Sequence, residues 1–312
     1  MPGKFAVTKR ILLKLEFCGA DFCGWQLQSE SVESQSKRSL QFCVESAVAT
    51  MLGRHGERHT VQGCGRTDSG VHALEYYAHF DVHQGLESRV RDLAKFVHAL
   101  NGVFPRGITA LGAWEVPLDF HALKSAAYKV YEYRLFVRGP SPVIHPGFMY
   151  WLSAEIDAPP PRRNFDLAAV TRAARSFVGT HDFAALASFG SEVKSTVRTV
   201  SKIEILREKF PHHDSAGDLL RFRVWGNGFL KQMVRNMVGT LIEVGLAKRD
   251  EASVARLLEP GLSVRKDAGA CAPAEGLFLS RVVYEHPAFV QLSRSAESLY
   301  APHLVNHEVI VS

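Results

Sequence analysis

Apolar residues occupy every second position from Ile11 through Leu13 and Leu15 to Phe17. A period of two puts them on one face of an extended chain, so residues 10–17 predict a half-buried strand. A glycine-bearing turn follows over residues 18–28. The spacing then changes: Leu40, Val44, Ala47, Val48 and Met51 recur at helical intervals, predicting a helix within residues 32–52. Residues 63–72 are rich in glycine and predict a loop. Tyr76, Ala78, Phe80 and Val82 alternate again as a strand. Leu86, Val90, Leu93, Val97 and Leu100 form a second helical stripe, which Pro105 and Gly107 end.

The second half repeats this mixture. Residues 108–116 and 126–137 predict strands. The run Asp157-Ala-Pro-Pro-Pro-Arg-Arg163 predicts a stiff surface loop. A helix is expected over 165–177, with Gly179 as its stop. Strands are expected near 196–206 and 219–226. Residues 229–245 are apolar on most sides and predict a deeply buried helix. Residues 277–284 predict a final strand, and nothing patterned follows residue 287. Strands interleaved with a few long helices favour α+β with a largely antiparallel sheet over a doubly wound parallel one. The divisions expected are an N-terminal lobe at 1–118, a C-terminal lobe at 119–286 and a tail at 287–312.

Composition narrows this only a little. At 46% hydrophobic and 22% charged residues, the chain has the make-up of a soluble globular protein. A net charge of +5 permits a polyanionic partner without demanding one. Five scattered cysteines, Cys18, Cys23, Cys43, Cys64 and Cys271, include no CxxC pair and no zinc-ligand spacing. They predict reduced thiols in a cytoplasmic protein. No signal-peptide pattern and no apolar run of about 20 residues stands out.

Four segments carry candidate chemistry. In Gly63-Cys-Gly-Arg-Thr-Asp-Ser-Gly-Val-His-Ala73, glycines surround Asp68 and an arginine, Arg66, stands two residues before it. Such glycines allow a sharp turn and close approach of a ligand, and a guanidinium suits a phosphate. An isolated Gly-x-Asp-x-Gly more often closes an Asx-turn. In Phe229-Leu-Lys-Gln-Met-Val-Arg-Asn-Met-Val-Gly239, Lys231 and Arg235 stand four residues apart in an apolar context. On a helix they share a face. A buried Arg235 would require an anionic partner. Tyr128-Lys-Val-Tyr-Glu-Tyr133 places Tyr131 and Tyr133 on one face of a strand, as core or as a stacking surface for a base. In Ala272-Pro-Ala-Glu-Gly-Leu277, proline and glycine set Leu277 at the mouth of a strand.

These segments together resemble the TruA family of tRNA pseudouridine synthases. Gly65-Arg-Thr-Asp-Ser-Gly-Val-His-Ala73 resembles its active-site motif. Gly24-Trp-Gln26, Ala78-His-Phe-Asp-Val82, Asp119-Phe-His-Ala122, Gly179-Thr-His-Asp-Phe183, Val197-Arg-Thr199, Met233-Val-Arg-Asn236 and Glu275-Gly-Leu277 follow in the family's order. The resemblance runs from about residue 10 to residue 284. It implies a two-lobed pseudouridine synthase-like fold, with a largely antiparallel sheet, flanking helices and an active-site cleft between the lobes. It implies Asp68 as the catalytic carboxylate, Arg235 as its partner and Tyr131 as the ring that stacks on the target uracil. Arg66 is implied in base flipping and RNA binding, and Leu277 in lining the uracil pocket. Lys231, Arg221 and Arg223 are expected to hold phosphates. The substrate implied is uridine 38, 39 or 40 of a tRNA anticodon stem-loop, bound by a homodimer without a cofactor or metal. Leu123 departs from the family's pattern, in which arginine follows Phe-His-Ala.

Two other readings compete. One is an RNA-binding protein without catalysis. The other is an Asp-dependent glycoside or nucleoside hydrolase, which needs a second carboxylate as acid. Glu132 and Glu275 are weak candidates for that role.

Overall fold

The structure is a computed structural model that describes residues 6–27, 38–56, 58–137, 147–152, 165–190, 193–209, 217–285 and 308–311. Its strands are β1 (Val7–Phe17), β2 (Val61–Gly63), β3 (His72–His83), β4 (Ile108–Val116), β5 (Ala126–Val137), β6 (Tyr150–Trp151), β7 (Gly179–Asp182), β8 (Val197–Lys209), β9 (Asp218–Gly226), β10 (Leu277–Tyr284) and β11 (Glu308–Val311). Its helices are α1 (Leu40–Met51), α2 (Leu93–Val103), α3 (Leu167–Arg175), α4 (Met233–Gly245) and α5 (Ala252–Arg256). The class is mixed α+β, and its strand pairs are mostly antiparallel. The described part of β6 runs parallel to β5.

The described residues form two compact units. One contains the chain up to Ala127 and the stretch from Leu279, and the other contains Tyr128–Phe278 and β11. In the first unit, β10, β3, β1 and β4 lie side by side, and β2 pairs with β3. The central strand β1 is buried on both faces, Leu12 as well as Ile11, Leu13 and Leu15. Toward its two ends, Thr8 and Glu16 on the Leu12 face are exposed. Helix α1 packs on α2 and β2, and α2 packs on β4. The α1 N-terminus is capped by Ser39, whose Oγ accepts the amide of Phe42 at 3.2 Å. The expected beginning of this helix near residue 32 lies outside the described residues.

In the second unit, β8, β9 and β5 form an antiparallel meander by position, with β11 and β7 both on the outer edge of β8. Helix α3 packs on α4. Two helix starts differ from the sequence expectation, each for a local reason. The second helix begins at Leu93, because Asp92 accepts the Lys95 amide and caps it there. Residues 87–90 form a separate 3₁₀ turn. Helix α3 begins after Asp166, which caps Ala169. Gly179, expected only as a stop, adopts φ +125° and opens β7. The Pro-rich run at 157–163 and the tail at 287–307 lie outside the described residues.

Candidate active site

Asp68 lies in the loop between β2 and β3, half-buried, with Arg66 exposed beside it. The loop is held from behind by residues 19–25. The Trp25 amide donates to the Thr67 carbonyl at 3.2 Å. The Ser69 hydroxyl donates to the Phe22 carbonyl at 3.2 Å. The Gly19 amide donates to His72 Nδ1 at 3.1 Å. A Cβ on Gly24, which has φ +100°, would stand 2.5 Å from the Thr67 oxygen, and one on Gly19 would stand 2.1 Å from the Val71 oxygen. Neither position admits a side chain, because the backbones of the two segments touch. At the loop's start, the Trp25 ring lies 4.3 Å from that of Tyr76, whose hydroxyl bonds the Gly65 carbonyl. A Cβ on Gly63 would meet both side chains. Within the loop, the Val71 amide closes on the Asp68 carbonyl at 3.2 Å. The carboxylate thus sits on a short loop whose backbone is fixed at both ends and along its back. The Gly24-Trp25 pair and Tyr76 are the supports that the sequence reading did not assign.

In the second unit, Arg235 lies in the first turn of α4 and is half-buried. Its Nε donates to the Ala272 carbonyl at 2.7 Å, while its own carbonyl accepts the Ala272 amide at 3.2 Å. The side chain is partly exposed, and one of its donors is satisfied by backbone. The surrounding helix is pinned closely. The fully buried Asn236 donates to the Leu186 carbonyl at 2.7 Å and accepts from Arg265 at 2.8 Å. Thr240 accepts the Gly269 amide at 2.9 Å. A Cβ on Gly239 would fall 1.7 Å from the Ala270 oxygen, so only glycine lets segment 270–272 lie against the helix. The same segment leads to Pro273, whose carbonyl accepts the buried Tyr133 hydroxyl at 2.9 Å. Gly276 then packs on the Tyr133 ring and delivers the buried Leu277 to the start of β10. The second unit therefore brings Arg235, Leu277 and β5 together through residues 270–277.

Lys231 does not share a helix face with Arg235. Gln232 adopts the left-handed conformation, φ 58°, and α4 begins only after it. Lys231 is exposed and donates to the Phe189 carbonyl at 3.0 Å. Tyr131 is half-buried on β5, with the Phe229 ring edge-on at 5.1 Å. The opposite face of β5 carries Glu132, 3% exposed, which binds Arg134 at 2.8 Å and Arg223 at 2.9 Å. Arg221 lies 3.8 Å from Glu132 and pairs with Glu208 at 2.9 Å. Burial alone would raise the pKa of Glu132, but the three guanidinium groups outweigh it and hold the carboxyl below its ordinary range. Arg221 and Arg223, expected to hold phosphates, are thus engaged by carboxylates of their own sheet. Glu132, held ionised, is unsuited to be the acid of a hydrolase. Among the described residues, no group of three or more His, Cys, Asp or Glu is placed to hold a metal ion. No described helix is long and apolar enough to cross a membrane.

Comparison with known proteins follows the same ground. The sequence pattern of tRNA pseudouridine synthases matches residues 173–285. A tRNA pseudouridine synthase A of Maridesulfovibrio salexigens is 37% identical over 276 residues, covering 88% of this chain and 90% of the relative. That of Solidesulfovibrio magneticus is 38% identical over 284 residues, covering 91% and 94%. The tRNA pseudouridine synthase A 2 of Clostridium tetani is 33% identical over 278 residues, covering 89% of this chain and 100% of its own. A chain from a crystal structure of a Cbf5-Nop10-Gar1 complex aligns with TM-score 0.29 and 11% identity, over 90% of this chain and 60% of its own, which is too low to bear on the fold. These relatives, each matched over at least 90% of its own length, carry the conclusion: the chain belongs to the tRNA pseudouridine synthase A (TruA) family.

Proposed function

We propose that the protein isomerises uridine to pseudouridine at position 38, 39 or 40 of the tRNA anticodon stem-loop, with Asp68 as the catalytic carboxylate. The reaction breaks the N1–C1′ bond, turns the uracil and joins C5 to C1′. The C5 proton is lost, N1 gains one, and no electrons leave the substrate. Asp68 acts on the ribose in its anionic form, either by attacking C1′ or by taking the C2′ proton. In this reading Arg235 steadies the carboxylate, Tyr131 stacks on the uracil and Leu277 lines its pocket. Arg66 and Lys231 hold the RNA, and the target base leaves its stack at a cost of a few kcal/mol. Two copies of the chain share one tRNA in the cytoplasm.

The observation that supports this most is the immobilised loop bearing Asp68. A carboxylate that must meet one ribose carbon gains from a backbone fixed before the substrate arrives. The edge-on contact with Phe229 also leaves the Tyr131 ring in a half-buried setting that suits stacking. Asp68→Asn removes the charge and keeps the shape. It should bind tRNA as tightly as the parent and lower pseudouridine formation by at least about 10²–10⁴-fold, the range for loss of a general base. Tritium release from tRNA labelled at uridine C5 measures this. Product formation at the parent rate would remove Asp68 from its assigned role.

A further inference from the structure

Phe189 is the most exposed large apolar side chain among the described residues, at 91%. A single such residue is ordinary on a protein surface. What sets this one apart is the backbone beneath it. Its carbonyl accepts Lys231 Nζ at 3.0 Å. The amide of Ser188, the residue before it, donates to the Lys231 carbonyl at 3.0 Å. Asn236, fully buried near the start of α4, donates to the Leu186 carbonyl at 2.7 Å and to the Ser188 Oγ at 3.4 Å. Gly190 then turns the chain with φ +82°. The ring is thus held out into solvent by a braced segment.

The brace connects Phe189 to residues assigned to the substrate. Residues 229–231 lead from β9 into α4, a stretch of at most about 7 Å along the backbone. At one end of it the Phe229 ring meets Tyr131 edge-on at 5.1 Å. At the other, Lys231 holds the Phe189 carbonyl. The left-handed Gln232 follows and separates Lys231 from the helix that carries Arg235. An ammonium has three donors, and only one is needed for the Phe189 carbonyl. Lys231 is exposed, so it can meet a phosphate as well. A flat apolar face beside such a cation matches a nucleotide, the ring taking the base and the ammonium the backbone. The patch is one ring wide, with Ser188 and Gly190 on either side in the chain. That suits a base and falls far short of the roughly 800 Å² per partner of a stable protein interface.

We propose that the Phe189 ring is a stacking platform for the base immediately next to the target uridine, which makes Phe189 a specificity-determining residue for the reaction. When the target leaves its stack, the neighbouring base loses a partner. The ring replaces that partner. A purine, with the larger face, gains more from it than a pyrimidine. The inference rests on the reading of the protein as a tRNA-modifying enzyme, with Tyr131 on the target base itself.

The test is a double-mutant cycle between ring and base, using the full chain. Anticodon stem-loop RNA is prepared intact, and with an abasic residue immediately 5′ or immediately 3′ of the target uridine. Equilibrium binding is measured with Asp68→Asn present in every chain, so that no turnover intervenes. Phe189→Ala should weaken binding of the intact RNA by about 5–150-fold, the range for loss of one stacked base. One of the two abasic RNAs should bind the chain with Phe189 about as weakly, and on that RNA Phe189→Ala should have less than about a twofold further effect. Phe189→Tyr keeps the ring and should bind the intact RNA within about twofold of the parent. Unchanged affinity of Phe189→Ala for intact RNA, or equal losses on all three RNAs, would overturn the platform. So would a shift in sedimentation with RNA affinity unchanged, which would assign the ring to contact with a second copy of the chain. Tritium release is scored separately on chains with Asp68 intact. An inactive parent whose ring and base still couple would refute the enzymatic reading and leave the stacking contact standing.

Discussion

At the scale of single residues, Glu132 shows how chemistry and architecture divide the two faces of one strand. Tyr131 lies half-buried on one face against the edge of Phe229, and Glu132 is the anionic centre of three arginines on the other. Removing its charge would leave guanidinium groups facing one another in a largely dry setting. Glu132→Gln should therefore lower unfolding stability by about 3–5 kcal/mol, the cost of breaking a buried ion pair. Guanidinium denaturation followed by circular dichroism would measure it. An unchanged midpoint would mean the arginines find other partners. The sequence contains all four residues but not their meeting. That depends on the register in which Glu132 faces Arg223 and Arg134 faces Arg221 across β5 and β9. The Asp68 motif, by contrast, is legible at once, since its glycines and carboxylate are consecutive.

Among the elements, periodicity identified strands β1, β3, β5, β8, β9 and β10 and the cores of the longer helices. It failed where conformation is set by one residue or by distant pairing. Gln232 has no residue-type marker for a left-handed φ, so α4 was expected to begin before it and to carry Lys231. Strand β7 is four residues long and exists because β8 offers an edge to pair with. The left-handed form costs a residue with a Cβ about 1–2 kcal/mol. Gln232→Gly should raise unfolding stability by up to about 1 kcal/mol, read from the denaturation midpoint. A loss of stability would show that the glutamine side chain contributes contacts worth more than the strain.

Over the whole molecule, Arg10, Arg54, His59, His79, Asp81 and His121 come together around one cleft, an assembly that could not be read from patterns confined to windows of a few residues. It has a consequence for acid stability. Burial first, then Arg10 and His121, push the His79 pKa down to about 4. Burial also lowers His59. An unfolded chain binds these protons near pH 6.5, and the folded chain resists them. Stability should therefore be full above pH 6.5, fall as the pH drops from 6.5 toward 4, and level off below that for this contribution. Thermal melts across this range would show the slope. In His79→Asn, which can still accept the Ala122 amide, the slope should be shallower; an identical slope would assign the acid sensitivity elsewhere.

The backing of the Asp68 loop by residues 19–25 has a bearing on how this motif can be moved or inherited. The nine residues from Gly65 to Ala73 do not own their conformation. They borrow it from two glycines and a tryptophan some forty residues earlier and from a tyrosine three residues later. Transplanted alone onto another hairpin, the motif would carry the right atoms on a slack tether. Any workable graft, natural or engineered, has to bring the first strand's exit along with the loop, so the smallest portable unit of this chemistry is a pair of strands rather than a signature.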